Sequence, residues 1–212
     1  MKKGLLGVGA MIVLGLVALV VLAFLWTIGI NNKIVRKSNA ADAQWANVQN
    51  VYQRRADLIP NLVNTVQGAA NFEKTTLQEV VNARASVGQV KVDPSRAPDD
   101  PEQLRKFQAA QDQLSSALSR LLVVVERYPE LKATKNFETL QAQIEGSENR
   151  ITVERGRYND SLRDYNTYIQ QFPASFVAGF RNFKTKPYFE ATTGAERPPQ
   201  VQFNFGNAPT NR

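Results

Sequence analysis

The stretch from Asn136 to Phe172, NFETLQAQIEGSENRITVERGRYNDSLRDYNTYIQQF, decides the fold. Within it Phe137, Ile144, Ile151, Tyr158, Tyr165 and Phe172 recur every seven residues without interruption, and Leu162 and Ile169 begin a second row. Seven residues are close to two helical turns, so each row stays on one face, the signature of helices packed at small crossing angles. Upstream, Phe107, Leu114, Leu121 and Tyr128 form one row, with Leu104, Leu118 and Val125 as its partner. Further upstream Trp45, Tyr52, Ile59, Val66 and Val80 share a register in which Glu73 fills the missing place, accompanied by Val48, Leu62, Ala69 and Ala83. No alternating strand pattern competes before the C-terminal tail.

Punctuation divides these rows into three long helices. Gly88 to Pro101 is rich in proline and poor in apolar residues and reads as a loop. Asp100, Pro101 and Gln103 then supply an N-cap, an N1 proline and an N3 amide. Pro129 breaks the second helix, Thr134 or Asn136 caps the third, and Pro173 stops it. At the standard rise the segments 31–87, 101–128 and 136–172 span about 85, 42 and 55 Å. The first is too long to be matched, so its opening turns form a stalk, and Pro60 kinks or divides the remainder. A short fourth helix is expected within Ala174 to Phe183. Three antiparallel passes would leave that segment at the end of the bundle far from the membrane.

The membrane enters with the first residues. From Gly4 to Ile30 no residue is charged, and leucine, valine and isoleucine dominate. These 27 residues reach roughly 40 Å as a helix, against about 30 Å of hydrocarbon. A cleavable signal peptide is the competing reading, but its apolar core is shorter and ends at a small-x-small site, whereas Ala23 is followed by Phe24, Leu25 and Trp26. Trp26 suits a membrane interface. Lys2 and Lys3 before the span and Lys33, Arg36 and Lys37 after it nearly balance. The short basic tail favours an inside N-terminus and a bundle outside the cytoplasm. Gly4, Gly7, Gly15 and Ala18 fall on one helical face, a small-residue stripe suited to helix pairing.

The expected class is therefore all-α: an N-terminal transmembrane helix (1–30), a long antiparallel helical bundle with its stalk (31–189) and an irregular C-terminal tail (190–212). The chain has 212 residues and neither cysteine nor histidine. Disulfide scaffolds, thiol nucleophiles, cysteine zinc sites and imidazole-based catalysis are excluded. Beyond the anchor 24 of the 26 basic residues stand against all 19 acidic ones, interspersed throughout. This mixture fits an anionic lipid surface better than nucleic acid.

The run Arg54-Arg55-Ala56-Asp57-Leu58-Ile59-Pro60-Asn61-Leu62-Val63, followed in order by Tyr128-Pro129-Glu130-Leu131, Glu148-Asn149-Arg150-Ile151, Arg155, Tyr158-Asn159 and Tyr165-Asn166, resembles the bacterial LemA family. The resemblance extends from about Trp45 to Phe189 and includes the N-terminal membrane helix. It implies a membrane-anchored antiparallel bundle without an established enzymatic activity. A relative in magnetotactic bacteria is associated with building an internal membrane, which makes membrane organisation the implied theme. Where family members often carry histidine before the glutamate matching Glu73, this chain has Phe72, which weakens a metal site carried over from the family.

Several polar residues interrupt the apolar rows. Arg55 stands in the Val48 to Leu62 row, Glu73 between Val66 and Val80, and Glu148 and Arg155 in the row leading to Leu162. A buried charge without a partner is costly. Arg55 and Arg155 are accordingly expected to pair with carboxylates of facing helices, with Glu73, Glu126 and Glu148 as candidates, fixing helix register. The chemical alternative is a cation or acid-base site built from those three glutamates. Trp45, Tyr52, Ile59, Leu121, Ile151, Tyr158 and Tyr165 are the expected core, the tyrosine hydroxyls reaching polar partners. Asn159 and Asn166 would flank the packed face and bond across helices or subunits. In the tail, Phe176, Phe180 and Phe183 with Arg181, Lys184 and Lys186 suit a headgroup layer or the cover of a bundle end. A second membrane contact there would require a folded-back first helix or an opposing bilayer. Val201 to Phe205 alternates like a single strand.

No phosphate loop, metal spacing or nucleophile-base pair supports an enzyme, and neither cofactor nor metal is expected. The favoured reading is a single-pass protein of the bacterial inner membrane that forms a homo-oligomeric scaffold organising the bilayer. The alternative is an anchored adaptor presenting a helical face to an envelope protein complex or protease.

Overall fold

In the computed structural model residues 2–69 and 72–190 are described. They form six helices and, among the described residues, no strand: α1 (Lys2–Gln67), α2 (Lys74–Gln89), α3 (Pro101–Val125), α4 (Pro129–Lys132), α5 (Lys135–Gln170) and α6 (Ala174–Arg181). The all-α class, the long apolar N-terminal helix and the bundle are as the sequence led us to expect. The strand-like alternation at Val201 to Phe205 and the tail beyond Glu190, expected to be irregular, lie outside the described residues, as do the surroundings of Gly4 and Gly7.

The segment 31–87 is not one helix. α1 passes through Pro60 and ends at Gln67, where Gly68 N–H donates to the Asn64 carbonyl and Ala69 N–H to that of Val66. α2 then runs back along the bundle, its Arg84 guanidinium donating to the Ala56 carbonyl of α1. α3 is antiparallel to α2, with Glu73 facing Arg127 at one end and Glu79 facing Arg120 further along. α5 is antiparallel to α1, from Arg55 and Glu148 down to Lys37 and Asp164. Four passes replace the expected three, and the even number returns the end of α5 to the membrane-proximal end of α1. This overturns the placement of the aromatic C-terminal segment far from the membrane.

The helix ends follow local chemistry. Asp100 caps α3 by accepting from Glu102 N–H ahead of Pro101, and Thr134 caps α5 by accepting from Phe137 N–H. α3 stops at Val125, so Tyr128 packs on Phe72 at the bundle tip, ring centroids 4.8 Å apart. α5 stops at Gln170, so Phe172, the last member of its row, is exposed.

Three apolar clusters stack along the bundle. The distal one joins Ile59, Val66, Val80, Leu121 and Ile144; the middle one joins Trp45, Tyr52, Phe107, Ile151, Tyr158 and Phe189; the membrane-proximal one joins Ile30, Ile34, Tyr165, Ile169, Val177 and Ala178. All seven residues expected in the core are buried. Large buried aliphatic and aromatic side chains contribute roughly 1.5 to 3 kcal/mol each, and these layers hold the passes together.

Candidate functional site

Between the distal and middle clusters lies a polar layer. Arg55 on α1 is one turn from both Tyr52 and Ile59 and only 1% exposed. Its Nη1 donates to Glu148 Oε1 on α5 at 2.5 Å and to Ser115 Oγ on α3 at 2.7 Å. Its Nη2 donates to the side-chain oxygen of Gln111 on α3. The guanidinium also lies over the Tyr52 ring, 5.3 Å from its centroid, while its Nε finds no acceptor. Glu148 is 37% exposed, so the carboxylate end of the pair meets solvent. Three helices thus converge on one cation. Gln111 escaped the sequence reading although a signal existed, because it occupies the seven-residue place between Leu104 and Leu118 just as Arg55 interrupts Val48 and Leu62.

The other expected members of the layer lie elsewhere. Glu73 immediately precedes α2 and pairs with Arg127 at 3.0 Å; Glu126 immediately follows α3 and pairs with Lys132 at 2.6 Å. Both pairs are on the surface, because a helix row loses its facing where the helix ends. Among the described residues no group of three carboxylates gathers, so Glu73, Glu126 and Glu148 are not brought together. Arg155 meets none of these glutamates. Its Nη1 is 3.8 Å from Asp112, its Nη2 donates to the Glu190 carbonyl at 3.1 Å, and its guanidinium covers the Phe189 ring.

A second constellation holds the segment after α6. Residues 184–190 climb the bundle in extended form, gripped by side-chain amides that imitate a neighbouring strand. Asn166 donates to the Lys186 carbonyl and accepts from Lys186 N–H, both at 2.9 Å. Asn159 does the same for Phe189 at 3.0 Å, and Gln108 for Glu190 at 2.9 and 3.2 Å. Tyr165 hydroxyl donates to the Lys184 carbonyl, whereas the Tyr158 hydroxyl has no partner. Phe189 fills the middle cluster, stacked on Trp45 and edge-on to Tyr158. Lys186 is buried and donates to Asp42 at 2.7 Å, and Asp42 also accepts from Ala97 N–H, tying the α2–α3 loop to α1. Asn159 and Asn166 therefore serve their own chain's extended segment.

Burial pushes the Tyr52 hydroxyl up to about 12, against the opposing influence of Arg155 and Arg55, and raises Tyr158 and Tyr165 as well. These phenols stay neutral under ordinary conditions and act as packing and hydrogen-bonding groups.

The third feature is the membrane-proximal end. α1 exposes its large apolar residues from Met11 to Ile28, and the next one, Ile30, is buried against α5 and α6. A Cβ added at Gly15 would meet nothing within 4 Å, and Ala18 is likewise open, so the described half of the small-residue stripe is uncovered in the single chain.

The chain belongs to the LemA family, whose profile matches residues 44–203. It is similar to the Magnetosome protein MamQ of Magnetospirillum gryphiswaldense, 26% identical over 211 residues, covering 90% of this chain and 77% of that one. It is also similar to Magnetosome protein MamQ 2 of Paramagnetospirillum magneticum, 26% identical over 196 residues, covering 84% and 71%. Protein LemA of Metamycoplasma hominis is 25% identical over 180 residues, covering 81% and 78%. The apolar helix and these relatives together point to a membrane-associated helical protein.

Proposed function

We propose that this LemA-family chain is a non-enzymatic, single-pass protein of the bacterial inner membrane whose copies assemble laterally into a scaffold that organises the bilayer. The observation that carries the reading is the continuity of α1, one helix from Lys2 to Gln67 that is both the candidate span and a bundle wall. A bundle built on the membrane helix itself has its orientation to the bilayer set by that helix, so neighbouring copies would meet side by side. The open Gly15 and Ala18 face supports close approach within the membrane, Gly4 and Gly7 extending it. The relatives named as magnetosome proteins support a membrane theme. Residues 1–30 act as the anchor, 31–189 as the assembling bundle with Arg55, Glu148 and Arg155 setting register, and 190–212 as a tail. The bundle lies outside the cytoplasm in this reading.

Catalysis has little to work with, since the Arg55 guanidinium donates to side chains inside the bundle and burial keeps the core tyrosines protonated. The adaptor alternative draws on one groove between α1 and α5, lined by Asn50, Arg54, Asn149 and Arg150, with Arg157 paired there to Glu154, whose remaining cations would suit an acidic face of an envelope partner.

Light scattering and electron microscopy of the full chain in mild detergent test the assembly. A defined high-order particle that Gly15→Leu shifts to smaller species is expected. A monomer for both proteins overturns the scaffold, and a monomer that copurifies with one unrelated protein favours the adaptor.

A further inference from the structure

The size pattern of α6 is inverted for a helix covering a water-facing bundle. Its buried face uses the small residues Ala174, Val177 and Ala178, while the aromatic residues point outward. Phe176 and Phe180, one turn apart on α6, are 78 and 87% exposed, and Phe172 in the turn before the helix is 84% exposed. An exposed aromatic patch of this kind marks an interaction surface.

Its position indicates the occupant. The small-residue face of α6 packs on Ile30 and Ile34, the first two buried residues of α1 beyond its exposed apolar stretch. Ile30 follows the interfacial aromatic Trp26 by four residues, about 6 Å of helix. α6 is therefore held within a turn or two of where α1 leaves the hydrocarbon, and an interfacial helix buries its apolar face about 5 to 10 Å deep. Basic residues follow the patch. Arg181, the last residue of α6, and Lys184 just beyond it are exposed and form no ion pair among the described residues. Lys33 lies over the Tyr168 ring, which packs on the same cluster. Exposed aromatic side chains with unpaired cations next to them in the chain suit a bilayer surface that offers acyl chains and anionic headgroups.

We infer that α6 is a second membrane element, an interfacial helix whose Phe176 and Phe180, with Phe172 of the preceding turn, insert into the same bilayer leaflet that α1 exits, beside anionic lipid. The reversal of the chain after α1 makes this possible, since α2 converts three passes into four and delivers α6 to the membrane end. Two points of attachment, the span and α6, would fix the bundle's tilt and its rotation about α1. The inference rests on α1 spanning the bilayer.

Because the chain has no cysteine, single substitutions give unambiguous labels. The full chain would carry Leu19→Cys, Phe176→Cys, Phe180→Cys or Val123→Cys, each with an environment-sensitive fluorophore. Each protein would be placed one copy per nanodisc of phosphatidylcholine and phosphatidylglycerol, with doxyl-labelled lipid or aqueous iodide as quencher. The expected result is strong lipid quenching and iodide protection at positions 19, 176 and 180, with the reverse at the distal position 123. Iodide access at 176 and 180 equal to that at 123, with 19 still quenched by lipid, overturns the inference. Protection of 176 and 180 from both quenchers means that protein covers them and overturns it too. Loss of lipid quenching at 19 removes the span and the inference together.

Discussion

Replacing Glu148 by alanine should destabilise the bundle more than replacing Arg55 by leucine, although both break the same ion pair. Glu148→Ala leaves a guanidinium that is 1% exposed, with its Nε already lacking an acceptor and only Gln111 and Ser115 remaining. Stranding a buried charge costs about 3 to 5 kcal/mol. Arg55→Leu instead leaves Glu148, whose 37% exposure allows water to replace the lost donor, and leucine can pack between the Tyr52 and Ile59 layers. Its cost is about 1 to 2 kcal/mol, for lost hydrogen bonds and an imperfect fit. In a bundle of this length each kcal/mol moves the midpoint by roughly 2 to 4 °C, so Glu148→Ala should melt on the order of 10 °C lower and Arg55→Leu only a few degrees lower. The double variant Arg55→Leu/Glu148→Ala should recover part of the loss, with a coupling of about 2 kcal/mol. Thermal unfolding of the full chain followed by circular dichroism measures all four corners. The reverse order of the single variants, or a coupling within about 0.5 kcal/mol of zero, would refute the account of a buried cation satisfied by one solvated carboxylate. A melting point for Arg55→Leu equal to the parent's, with assembly alone impaired, would refute the register role.

Alkaline pH should weaken the fold through its buried phenols. Tyr52 is raised from 10.0 to about 12 by burial, so between those values the unfolded chain has released a proton that the folded one retains. Its contribution is complete below pH 10 and is lost progressively as pH rises towards 12, up to roughly 3 kcal/mol, with Tyr158 and Tyr165 acting in the same sense. Denaturant unfolding of Tyr52→Phe should show a shallower decline over that interval, and an unchanged slope would contradict it. Asn166→Ala should release the extended segment, since it removes both the donor and the acceptor that hold the buried Lys186 peptide, at about 1 to 3 kcal/mol. Hydrogen exchange at Lys186 N–H should accelerate while that of Val80 stays as in the parent; unaltered protection at Lys186 would show that Asn159, Gln108, Asp42 and Phe189 hold the segment without Asn166.

The seven-residue rows of the sequence determine the helices and their buried faces, because side-chain direction along a helix depends only on local geometry. Trp45, Tyr52 and Ile59 on α1 and Ile151, Tyr158 and Tyr165 on α5 are legible in this way, as is the apolar span before them. Arg55 was legible for the same reason, a charge in an apolar row whose burial demands a partner, and Glu148 was among the carboxylates expected to supply one. The break at Gly68 was hidden by the same periodicity. Val66 and Val80 keep their spacing through Glu73 because α1 and α2 face one core, and a one-dimensional repeat is blind to reversal of the chain. The glycine itself, with Asn71 three residues on, was the available signal. Tertiary structure alone decided three things. It counted four passes instead of three and so brought α6 to the membrane end. It turned Glu73 and Glu126 outward at helix termini, and it set the backbone of residues 186–190 against Asn159, Asn166 and Gln108. Each depends on contacts between segments distant in sequence, whose energies are settled only when the chain closes on itself.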